Sequence, residues 1–117
     1  MIFLVDDDEA VRDSLRVVLT AFGFPVQDFA SGREFFDRAD QAQGKCLILD
    51  VNLPGESGLD VLARLKAGGS TLPVVMVSGR AEAAAKRRAR ELGAAAFLDK
   101  PVAFDLLRST LDEVIRN

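Results

Sequence analysis

An α/β fold with a parallel sheet is predicted by three features of the chain. Short apolar runs recur along it, stretches of helical spacing lie between them, and a carboxylate, hydroxyl or ammonium residue follows each of the strongest runs. The 117 residues amount to one domain, residues 1–117, large enough to bury a core of its own.

The first run, Ile2–Val5, is wholly apolar, as suits a strand covered on both faces. Val11, Leu15, Val18, Leu19 and Phe22 then recur at three- and four-residue spacing, and Gly23 stands where a helix is followed by its C′ glycine. Val26–Phe29 is a weaker, alternating run and reads as an edge strand. Ser31-Gly32-Arg33-Glu34 has the spacing of a capping box and opens a short helix carrying Phe35 and Phe36. Residues 47–49 form the third strand. Ser57 caps a third helix with Val61, Leu62 and Leu65, closed by Gly68-Gly69. Residues 74–77 form the fourth strand, followed by an alanine-rich helix over residues 81–92 that ends at Gly93. Residues 95–98 read as a further continuous apolar strand, and Phe104, Leu107, Leu111 and Val114 are the stripe of a last helix.

Five strands alternating with five helices imply right-handed crossovers and helices on both faces of the sheet. At this size the expected architecture is a flavodoxin-like (βα)5 three-layer sandwich with strand order 2-1-3-4-5.

Composition narrows the function. The chain is 49% apolar and 28% charged with a net charge of −3, which fits a globular domain and not a disordered, fibrous or membrane chain. No apolar stretch approaches the ~20 residues of a membrane helix, and the first run lacks the basic flank and length of a signal peptide. The lone Cys46 has no internal partner and reads as a small buried hydrophobe, so a cytoplasmic location is expected. Mild acidity argues against direct nucleic-acid binding by this segment, and Lys86-Arg87-Arg88-Arg90 reads as a solvated helix face. With no histidine and one cysteine, soft-metal sites and imidazole catalysis are excluded; any metal must be a hard cation on oxygen ligands.

The residues after the runs carry the chemistry. The first run leads into Asp6-Asp7-Asp8, the third into Asp50, the fourth into Ser78 and the fifth into Asp99-Lys100. Open parallel sheets bind ligands beyond the carboxyl ends of their strands, at the point where the winding reverses. In the expected order that point lies between strands 1 and 3, which gathers Asp6, Asp7, Asp50, Ser78 and Lys100 on one rim. Three carboxylates packed together call for a cation, and an oxygen-only site of this kind suits Mg²⁺. Such a site serves phosphoryl transfer: Asp50 as nucleophile forms an acyl phosphate, while Lys100 and the Ser78 hydroxyl hold phosphoryl oxygens. Asp8 is expected to stand outside the site, favouring the first turn of the helix that follows.

Leu4-Val5-Asp6-Asp7-Asp8, Leu49-Asp50-Val51-Asn52-Leu53-Pro54-Gly55-Glu56-Ser57-Gly58, Val77-Ser78-Gly79 and Phe97-Leu98-Asp99-Lys100-Pro101 together resemble a response-regulator receiver domain, with likeness to the FixJ-like subfamily. The resemblance spans the whole chain in order. It implies Asp7 as a direct Mg²⁺ ligand, Asp6 acting mainly through water, and Asp50 and the Asn52 backbone carbonyl as further ligands. It also implies a cis Lys100–Pro101 peptide, a sensor histidine kinase as phosphodonor, and slow self-catalysed loss of the phosphate instead of turnover. Ser78 and Phe97 would be the switch, acting on the face made by the fourth helix, fifth strand and fifth helix, a surface for homodimers and for control of transcription. No output domain is read within the chain. Asn52 and Arg80 are expected to tune the lifetime of the acyl phosphate. Ser78 replaces the commoner Thr and Phe97 the commoner Tyr, so no phenol anchors an outward state and Phe97 is expected to sit inward more often than a Tyr would.

Two other readings start from the same residues. Asp6-x-Asp8 after a first strand resembles haloacid-dehalogenase-type phosphatases, with Asp6 as nucleophile and Asp8 as general acid. A receiver-like module that works without phosphorylation is the other.

Overall fold

The computed structural model describes residues 1–79 and 82–116. It contains β1 (Ile2–Val5), α1 (Glu9–Ala21), β2 (Val26–Phe29), α2 (Gly32–Arg38), a single 3-10 turn at Gln41–Gln43, β3 (Cys46–Asp50), α3 (Gly58–Ala67), β4 (Val74–Ser78), α4 (Ala83–Glu91), β5 (Ala96–Asp99) and α5 (Phe104–Arg116). The five strands are all parallel in the order β2-β1-β3-β4-β5, as the sequence predicts.

The period of two along each strand divides the core into two layers. On one side Phe3, Val5, Leu47, Leu49, Val74 and Met76 pack with Phe35, Val61, Leu62, Leu65 and Ala89 from α2, α3 and α4. On the other, Ile2, Leu4, Cys46, Ile48, Val75 and Val77 meet Leu15 and Leu19 of α1 and Leu107 and Leu111 of α5. Both faces of the central strands are therefore dry, which is why their sequences are continuous apolar runs. Phe3, Phe29 and Phe35 make a mutual aromatic cluster at 5.5–6.3 Å between centroids. Cys46 is fully buried in the opposite layer, and burial pushes its thiol up to about 12.

Two local expectations need correction, at β5 and at the start of α2. The last apolar run lies on an edge: in β5 only Leu98 is buried, Ala96 and Phe97 are half-buried and Asp99 is exposed. Ser31 does cap α2, accepting from the Glu34 N–H at 3.1 Å, but the Glu34 carboxylate reaches the Ala30 N–H at 2.7 Å and not that of Ser31. The reciprocal box is found instead at α3, between Ser57 and Asp60. Asp8, expected to favour a first helical turn, is the N-cap of α1, accepting from the Ala10 and Val11 N–H groups at 3.0 and 3.3 Å. Among the described residues, no helix is long and apolar enough to cross a membrane.

Candidate functional site

Parallel strands point all their carboxyl ends the same way, so β1, β3, β4 and β5 deliver Asp6, Asp50, Ser78 and Lys100 to one rim. Asp50 and Ser78 are the last residues of their strands, Asp6 and Lys100 the first beyond theirs. Asp6 and Ser78 are fully buried and Asp50 is 3% exposed, whereas Asp7 is open to solvent. Buried polar groups of this kind must be held by partners, and they are.

Lys100 supplies the central contact. Its Nζ lies 2.8 Å from Asp6 Oδ2 and 3.1 Å from Asp50 Oδ2, one ammonium shared by two buried carboxylates. The second oxygen of each carboxylate takes a backbone donor two residues on: Asp8 N–H to Asp6 Oδ1 at 2.9 Å, and Asn52 N–H to Asp50 Oδ1 at 3.0 Å. The Asn52 amide nitrogen donates to Ser78 Oγ at 3.1 Å, linking the loop after β3 to the end of β4. The Lys100–Pro101 peptide is cis.

The electrostatics follow from burial. Burial raises the Asp50 carboxyl above the ordinary carboxylate range, and the Asn52 N–H and Lys100 only partly oppose it. Burial works to lower the Lys100 ammonium, but its hydrogen bonds and ion pairs with Asp6 and Asp50 prevail and leave it above its usual value. Carboxylate oxygens of Asp6, Asp7 and Asp50 lie within 4.8 Å of one another, a spacing that one small cation can bridge. The donors are all hard oxygens, and the chain has no histidine to compete; the set fits Mg²⁺ and not a soft metal.

The structure thus brings together Asp6, Asp7, Asp50, Asn52, Ser78 and Lys100. Phe97 lies off the rim, half-buried against the α2–α4 side of the core, with the Lys86 Nζ 5.7 Å from its ring centroid. It is neither fully enclosed nor exposed. Arg80 lies outside the described residues. Two residues that touch the site were given no role by the sequence reading. Arg12 of α1 donates from Nη1 to the Asp6 carbonyl at 2.7 Å, and Gly58 opens α3 directly against the backbone of Asp50. The glycine had a signal: it occupies the first turn of a helix, where almost any other residue is a better helix former.

A fold and rim of this kind can be compared with known families. The model of the response regulator receiver domain matches residues 2–112. The chain belongs to this family. Transcriptional regulatory protein FixJ of Bradyrhizobium diazoefficiens is 36% identical to this receiver domain over 115 residues, 98% of the chain and 56% of FixJ. Response regulator protein TodT of Pseudomonas putida is 36% identical over 101 residues, 86% of the chain and 44% of TodT. Among solved structures, response regulator StyR matches with a TM-score of 0.90 at 33% identity, covering 98% of the chain and 58% of StyR. The receiver domain spans about half the length of the curated relatives it matches. It is a signalling domain and not a metabolic enzyme, and its acidic rim belongs to a receiver, not to a haloacid-dehalogenase-type phosphatase.

Proposed function

We propose that this domain is cytoplasmic and that Asp50 accepts a phosphoryl group from the phosphohistidine of a sensor histidine kinase. The observation that carries this is the state of its carboxylate: buried at a strand end, facing the rim, and held by one ammonium and one backbone N–H. An Asp50 oxygen attacks phosphorus, the phosphorus–nitrogen bond breaks, and the donor imidazole keeps the electron pair and takes up a proton. Lys100 then transfers a hydrogen bond from the carboxylate to a phosphoryl oxygen, and the Ser78 hydroxyl donates to another. Asp6, Asp7, Asp50 and the Asn52 carbonyl would hold Mg²⁺, which supplies neutralising charge to the phosphoryl oxygens. The side chain of Asn52 stands exposed beside Asp50 and tunes how long the acyl phosphate survives hydrolysis.

The dianion created on Asp50 is the signal. Ser78 moves toward it and Phe97, only half-buried at the start, follows into the space behind. The surface that changes is the one formed by α4, β5 and α5, which would meet a second copy or an output module controlling transcription. Full-length FixJ relatives extend well beyond the matched segment, in keeping with such a module.

Incubation with acetyl phosphate tests the chemistry without the kinase. With Mg²⁺ the protein is expected to gain one phosphate-sized mass by intact mass spectrometry, and with EDTA in place of Mg²⁺ to gain none. A gain indifferent to EDTA would show that the oxygen cluster is not a working metal site.

A further inference from the structure

Arg12 stands on α1, outside the rim, yet reaches the main chain of Asp6. Its Nη1 donates to the backbone carbonyl of Asp6 at 2.7 Å while its Nε binds Asp28 Oδ2 at 3.2 Å. The side chain is 15% exposed and Asp28 22%, so the pair is largely shielded from water. Asp28 lies on β2, where Leu4↔Asp28 and Val5↔Phe29 are register partners, and the Asp6 N–H itself donates to the Phe29 carbonyl at 3.2 Å. The edge strand therefore grips Asp6 twice, once directly and once through Arg12. With Asp8 N–H and Lys100 on the carboxylate, every polar group of Asp6 is fixed.

We infer that Arg12 is a positioning residue for the metal site, setting the path of the loop that presents the Asp6 and Asp7 carboxylates. The inference rests on the proposed reading of that site. A carbonyl accepting from a guanidinium cannot swing, so the peptide from Asp6 to Asp7 leaves β1 in one direction. The guanidinium's own charge acts the other way, since a cation near a cation site repels Mg²⁺. That repulsion is reduced here because Asp28, which Arg12 shares with Arg16 at 3.0 Å, lies in direct contact with Arg12. Geometry and charge thus predict opposite signs for removing the side chain. Lysine is a poor substitute, because a single ammonium lacks the two fixed nitrogens that reach a carbonyl and a carboxylate at once.

Mg²⁺ binding to the phosphate-free protein, followed by isothermal titration calorimetry well below the unfolding midpoint of every variant, separates these. Arg12→Ala is expected to weaken Mg²⁺ about tenfold, with Arg12→Lys recovering only part of the loss. Arg12→Lys keeps the charge but loses the second fixed nitrogen, so its loss of affinity reports geometry and keeps the test open if Arg12→Ala fails to fold. Arg12→Ala or Arg12→Lys binding Mg²⁺ as tightly as wild type, or more tightly, overturns the inference. If wild type itself binds no Mg²⁺, both this inference and the reading of the rim as a metal site fail. If wild type binds and the variants match it, only this inference does.

Discussion

Replacing Lys100 with alanine is expected to slow phosphorylation of Asp50 by about 100-fold or more, the usual consequence of removing one preorganised donor from a site of charge development. The same change should destabilise the Mg²⁺-free domain by about 3 kcal/mol at neutral pH. The second effect follows from what Lys100 shields. Asp6 is fully buried and Asp50 nearly so, and a single ammonium at 2.8 and 3.1 Å neutralises both. Without it, two desolvated carboxylates face each other, and the cheaper response is for one to take up a proton. Asp50, already raised by burial, would rise further. An acid whose pKa is higher folded than unfolded loses stability as pH climbs from its unfolded value, ~3.9, through its folded value. The deficit of the variant should therefore be small near pH 4 and large at pH 7. Lys100 itself is raised in the fold, so its contribution is complete below its unfolded value, ~10.4, and unchanged across this window. Added Mg²⁺ should restore part of the loss at pH 7 by replacing one cation with another. Urea unfolding at both pH values, with and without Mg²⁺, measures this; a deficit equal at pH 4 and pH 7 would mean that the ammonium acts by packing alone.

The other large effect is expected at Gly58. A Cβ placed there would lie 2.0 Å from the Asp50 carbonyl oxygen, 2.8 Å from its carbon and 2.9 Å from Val51 Cα. All three are backbone atoms of the chain at the Asp50 end of β3, and none can rotate aside. Helix propensity favours alanine over glycine by ~1 kcal/mol, but overpacking a tight contact costs up to about 3 kcal/mol. The clash should win. Gly58→Ala is expected to lower stability by about 2 kcal/mol and to displace Asp50 enough to cut phosphorylation severely. Gly68→Ala is the matched control, because its Cβ meets nothing closer than the Arg64 carbonyl at 3.4 Å. Its stability should change by no more than about 0.5 kcal/mol. Denaturant midpoints that fall together for both variants would place the cause in helix termini and not in contact with Asp50.

The fold was legible because its central strands are dry on both sides and its helices are wet on one. Two periodicities, continuous and 3.6, therefore alternate along the chain without overlap. The ends of β5 were less legible: its run resembles that of a buried strand, but only its place at the edge of the sheet decides which residues face water. The acidic rim could be read because strand ends carry chemistry in parallel sheets, so Asp6, Asp50, Ser78 and Lys100 each announced themselves by position. Arg12 did not. With Arg16 it forms an i,i+4 pair that reads as a solvated helix face, and its partner Asp28 lies in a polar stretch of an edge strand. Their meeting across α1 and β2 depends on side-chain reach, not on spacing. The half-burial of Phe97 is likewise set by the packing of α4 against β5, where Lys86 pairs with Asp99 at 3.4 Å beside the ring.

The central claim is that Asp50 carries the phosphoryl group, and locating the acyl phosphate tests it most directly. Protein treated with acetyl phosphate and Mg²⁺ is reduced with borohydride, which converts a phosphorylated aspartate to homoserine, and the converted residue is found by tandem mass spectrometry. Conversion at residue 50 alone, absent in Asp50→Asn, is the predicted result. Conversion at Asp6 or Asp8, or undiminished phosphorylation of Asp50→Asn, would contradict the account.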